Sequence, residues 1–111
     1  MTKIQEFKMY IDGQWVDSES GNTIPSVNPE DNKVWAHVPE ANEKDVDKAV
    51  QSAQKAFENT WSKLHAKERA KYLKLIAEQL RANAENLGKI ETIDTGKLFR
   101  ETKTQANYIA E

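Results

Sequence analysis

The sequence predicts an α/β or α+β chain, with short strands joined by turns in its first third and amphipathic helices after that. Three observations carry this reading. Apolar residues come in short groups up to Pro39, and the turn-forming runs Asp12-Gly13 and Asn28-Pro29 separate those groups. From Asn42 onward the apolar residues recur at three- and four-residue steps, the spacing of one face of an α-helix.

Met9-Tyr10-Ile11 and Trp15-Val16 flank Asp12-Gly13, and aspartate and glycine tolerate the positive φ angles that a two-residue hairpin turn needs. A second strand pair, Thr23 to Val27 and Val34 to Val38, brackets Asn28-Pro29-Glu30-Asp31-Asn32. There proline fixes φ, and the Asn and Asp side chains accept hydrogen bonds from nearby amides. Pro25 has no N–H to give a ladder, so its strand is an edge strand or an irregular one.

Asn42 is placed to cap the first helix, with Glu43 and Asp45 in the first turn. Val46, Ala49, Val50, Ala53, Ala56 and Phe57 then predict one buried face. After Asn59-Thr60 and Trp61, a second helix carries Ala66, Ala70, Leu73, Ile76, Ala77, Leu80 and Ala84 as a single stripe, with Ser62 and His65 its only candidate caps. Leu87, Ile90 and Ile93 continue that period toward Gly96. Either the second helix is very long or it breaks near Asn83, and the weak helix formers Asn83, Asn86 and Gly88 favour the break. Phe99 begins another helical pattern, which reaches Tyr108-Ile109-Ala110-Glu111 with no glycine, proline or polar tail. The missing stop signal predicts a chain cut from something longer.

The 111 residues suit one domain, in which folding would bury roughly two thirds of the unfolded surface. Hydrophobic residues at 38% and charged residues at 31%, with mixed signs, describe a soluble globular segment. A net charge of -2 gives no electrostatic case for nucleic acid or an anionic membrane as partner. No apolar run is long enough to span a bilayer and Met1 to Glu6 has no signal-peptide core, so a cytoplasmic location is the default. The absence of cysteine removes disulfides, thiolate metal sites and cysteine nucleophiles from this chain.

Few residues announce chemistry. Lys67, Lys71, Lys74 and Arg81 are interrupted by Glu68 and Glu78 and read as a solvated helix face. His37 and His65 have no second ligand at metal-binding spacing. Trp15, Trp35, Phe57 and Trp61 fall at element boundaries and are expected to anchor hairpins against helices in the core. Gly13, Gly21, Gly88 and Gly96 are too scattered for a phosphate-cradling loop.

The segment Glu91-Thr92-Ile93-Asp94-Thr95-Gly96-Lys97 stands apart, because it carries an acid into the last turn of a helix. A carboxylate there faces the negative end of the helix dipole, at a cost of roughly 0.3 to 1 kcal/mol unless a cation offsets it. Asp94 is therefore expected to have a cationic partner, and Lys97 and Arg100 are the nearby side chains that could pair with it.

Several motifs in order resemble one enzyme family. They are Tyr10-Ile11-Asp12-Gly13-Gln14-Trp15-Val16, Val27-Asn28-Pro29, Val34 through Pro39, and Ala41 through Val50. Ala53 through Phe57, Trp61-Ser62-Lys63-Leu64, Arg69, and Leu87 through Lys97 complete the series. Their order and spacing, from about Met9 to Glu111, resemble the amino-terminal segment of NAD(P)-dependent aldehyde dehydrogenases. The resemblance implies an α/β fold: two β-hairpins followed by three to four helices, making up the first part of a cofactor-binding domain built on a Rossmann-like sheet. Residues 1–111 would be a single incomplete domain, with hairpin strands over 1–39 and helices over 42–111.

In that family the dinucleotide-binding loops, the cysteine nucleophile, the water-activating glutamate and the oxyanion-binding asparagine all come later in the chain. The implied reaction is thiolate attack on an aldehyde, hydride transfer to NAD or NADP, and hydrolysis of the thioester. A full-length parent would bind NAD or NADP and assemble as an oligomer. This chain alone is expected to bind no dinucleotide and, having no cysteine, to be inactive. Several members hold a monovalent cation, potassium or sodium, between the aspartate matching Asp94 and a backbone carbonyl in the region of Val27. A salt bridge from Asp94 to Lys97 or Arg100 is the alternative. The family's helix near Tyr108 and Ile109 helps to line the substrate entrance. The family usually has proline where this chain has Leu98, which loosens the expected exit from the Gly96 turn.

The partner implied is the remainder of an aldehyde dehydrogenase chain, with self-association when the segment is isolated. A freestanding structural or protein-interaction module derived from the segment is the other reading.

Overall fold

The computed structural model describes residues 3–111, which fall into two compact units. One runs to Val27 and resumes over Val34–Lys63; the other comprises Asn28–Lys33 and Leu64–Glu111.

In the first unit, β1 (Gln5–Glu6), β5 (Lys33–Pro39) and β4 (Thr23–Asn28) form a sheet in the order β1-β5-β4. β4 is an edge strand, as the missing N–H of Pro25 requires. β1 runs parallel to β5, with Gln5 opposite Ala36 and Glu6 opposite His37. Two residues are too few to show an alternating pattern, so this strand was not legible in the sequence. β2 (Met9–Ile11) and β3 (Gln14–Val16) form the predicted hairpin, with Met9 opposite Val16 and Ile11 opposite Gln14. Asp12 and Gly13 have φ of 52° and 74°, the two left-handed residues whose twist suits a two-residue turn.

Helix α1 (Glu43–Asn59) begins where Asn42 predicted. The Asn42 side-chain oxygen accepts from the Asp45 N–H at 3.1 Å, and the Asp45 carboxylate accepts from the Asn42 N–H at 3.1 Å, a reciprocal cap. The apolar face of α1 departs from expectation: Val46, Val50 and Phe57 are all exposed. A short 3₁₀ turn, Trp61–Lys63, follows.

In the second unit, α2 (Ala66–Thr95) runs unbroken for 30 residues, and α3 (Phe99–Ile109) packs against it. The expected break near Asn83 is absent. Asn83 donates its side-chain amide back to the Gln79 carbonyl at 2.8 Å, and Gly88 is buried against α3, so tertiary packing overrides weak propensity. His65 is the residue before α2. The Glu68 carboxylate takes up its backbone N–H at 2.9 Å, giving the helix a start that His65 alone did not promise.

The core is thinner than 111 residues suggested. Among the described residues the buried apolar side chains are Ala36 in the first unit and Ala84 and Ala110 in the second. The aromatic residues do not fill it. Trp15 and Phe57 are largely exposed and Trp61 is on the surface, while Trp35 makes an edge-on ring contact with Phe7 at 5.9 Å and donates to the Ser26 hydroxyl.

Candidate functional site

The end of α2 is built as its sequence implies. Gly96 has φ of 74° and closes the helix by donating its N–H to the Thr92 carbonyl at 2.9 Å. A Cβ at Gly96 would stand 3.0 Å from the Pro29 ring, so this glycine serves both the left-handed turn and a close approach. Lys97 turns its ammonium group to Glu91 at 2.7 Å. Asp94 lies exposed in the last turn of α2, and Val27 lies exposed in β4.

α3 is locked onto α2 by a small polar knot. Thr102 is fully buried, and its hydroxyl lies 2.9 Å from the Gly88 carbonyl, 3.0 Å from the Phe99 carbonyl and 3.1 Å from the Thr92 hydroxyl. With one proton it donates to one carbonyl at a time, and the Thr92 hydroxyl can donate to it in turn. Gly88 makes the approach possible, because a Cβ there would meet the Lys103 backbone nitrogen at 2.9 Å. Glu85 of α2 pairs with Lys89 at 2.8 Å and reaches Lys103 of α3 at 3.6 Å. The hydrogen bond from Lys89, then the positive charges of Lys89 and Lys103, hold the Glu85 carboxyl below its ordinary pKa. At the far end, the Arg81 guanidinium donates to the Ala110 carbonyl, a cation at the negative end of α3.

Tyr108 and Ile109, the residues that the resemblance puts at a substrate entrance, are 74% and 71% exposed on α3. Ile109 borders an open cleft lined by Leu73, Ile76, Ala77, Leu80 and Arg81 of α2. A second open apolar groove on α2 runs along Tyr72, Leu75, Ile76, Leu80 and Leu87.

The first unit has its own polar hub, which sequence reasoning read only as a helix start. Asp45 is buried, and besides capping α1 its carboxylate accepts from the Glu19 backbone N–H at 3.1 and 3.2 Å. Glu19 in turn accepts from Lys44 at 2.9 Å and from the Asn42 side chain at 3.1 Å. Those two bonds, with the Lys44 bond the larger influence, lower the Glu19 pKa, and Glu19 raises that of Lys44. Here the chemistry is that of a fastened turn. Among the described residues no three His, Asp or Glu side chains gather to hold a metal, and no helix is long and apolar enough to cross a membrane.

The pattern of known proteins decides what this arrangement belongs to. Residues 15–111 match the model of the aldehyde dehydrogenase family. The chain belongs to the aldehyde dehydrogenase family. A dehydrogenase of Acinetobacter baylyi that acts on (Z)-2-((N-methylformamido)methylene)-5-hydroxybutyrolactone is 39% identical over 109 residues, spanning 97% of this chain and 22% of that protein. The NAD-dependent aldehyde dehydrogenase of Sinorhizobium meliloti superposes with a TM-score of 0.93 at 32% identity, over 98% of this chain and 22% of its own. Betaine aldehyde dehydrogenase of Staphylococcus aureus, solved with NAD+, gives a TM-score of 0.88 at 36% identity over 93% of this chain and 21% of its own.

This chain therefore spans about a fifth of the length of the aldehyde dehydrogenases it matches. The strands and helices are those of the amino-terminal part of that fold. Gly88, Thr102, Asp45 and Arg81 were not recognised as structural keys. A lone glycine inside a helical period was the available signal for the first of them.

Proposed function

We propose that this chain is the amino-terminal part of the cofactor-binding domain of an aldehyde dehydrogenase. The complete protein, a cytoplasmic oligomer, would oxidise an aldehyde to a carboxylic acid with NAD or NADP. The observation that carries the proposal is the family match over residues 15–111 at about a fifth of the relatives' length. The chain alone has no cysteine to form a thioester and is inactive in this reading. Assay of the isolated chain with NAD, NADP and simple aldehydes should give no reduced cofactor, and NAD should leave its melting temperature unchanged. Turnover, or a clear rise in melting temperature, would overturn the proposal.

Both units belong to that one domain in this reading, and the remainder of the dehydrogenase covers their exposed apolar faces. Deprived of it, the chain self-associates. The same faces support a second reading, a freestanding interaction module, which a chain that is monomeric at high concentration and melts cooperatively would favour.

Tyr108 and Ile109 would border the substrate entrance of the complete enzyme, their high exposure here being consistent with that role. At Asp94 we propose a monovalent cation, an ion that takes hard oxygen donors such as a carboxylate. Potassium or sodium should then raise the melting temperature of the chain, and Asp94→Ala should abolish the rise. An equal response in both proteins would leave the ion without a site at Asp94.

A further inference from the structure

We draw no further inference here: the strongest candidate, the open apolar groove along α2 from Tyr72 to Leu87, carries nothing because no element of the structure shows what covers it.

Discussion

Gly88 is where helix propensity and tertiary packing disagree most sharply. Alanine is the better helix former by about 1 kcal/mol, so an isolated α2 would gain from Gly88→Ala. The added Cβ, however, would sit 2.9 Å from the Lys103 nitrogen and 3.0 Å from its Cα, and backbone atoms of a packed helix cannot rotate aside as a side chain can. α3 would have to shift, carrying Thr102 away from the Gly88 carbonyl. Overpacking of this kind costs about 1–3 kcal/mol, enough to outweigh the propensity gain. Gly88→Ala should therefore lower the denaturation midpoint, and a raised midpoint would mean that α3 is not seated against α2 as described. Glycine in the sequence revealed only the propensity side of this balance, since the neighbour that makes it necessary lies 15 positions away in α3.

At the scale of elements, ion pairs tie segments together and give stability a pH dependence of known sign. Glu85 joins α2 to α3, and Glu19 fastens its turn to the start of α1. Both carboxyls are held below their ordinary value of 4.5. Their contribution is present above that value and is lost as pH falls through the depressed native pKa, where protonation breaks the pairs. Lys44 is raised above 10.5, so its share is present below that value and disappears as pH rises through the raised native pKa. Thermal melts should show that Glu85→Gln and Glu19→Gln each lower stability near neutrality and reduce the loss on acidification below pH 4.5. An unchanged acid limb in both variants would show that these pairs do not persist in solution.

Elements also differ in how much the sequence disclosed. The Asp12-Gly13 hairpin, the Asn42 cap and the Gly96 stop were all legible, because each depends on residues within a few positions of one another. β1 was not, since a two-residue parallel strand depends on a partner about 30 positions away. The continuity of α2 past Gly88 was not legible for the same reason: the helix that packs on that glycine, α3, lies further along the chain. The Gly96 turn was legible through a local pattern, the same one that makes Asp94 a candidate. Thr102 carries no such pattern, because a threonine inside a helix looks alike whether buried or exposed.

For the whole molecule the decisive fact is how little apolar surface it covers. Val46, Val50 and Phe57 on α1 are exposed, and so are Tyr72, Leu73, Leu75 and Ile76 on α2, whereas the buried apolar side chains among the described residues are alanines. Contiguous apolar faces of this kind mark surfaces that meet another surface. In a chain spanning about a fifth of its relatives, the missing surface belongs to the rest of the dehydrogenase in the reading proposed above. Sedimentation of the isolated chain at rising concentration should therefore show self-association. Leu75→Lys together with Ile76→Glu should reduce it, while changing unfolding free energy by only about 0.5 kcal/mol per site, because both side chains are exposed. A large loss of stability in that variant would show that the face is already covered from within. A wild-type chain that stays monomeric would remove the need for a missing partner and leave the interaction module as the better account.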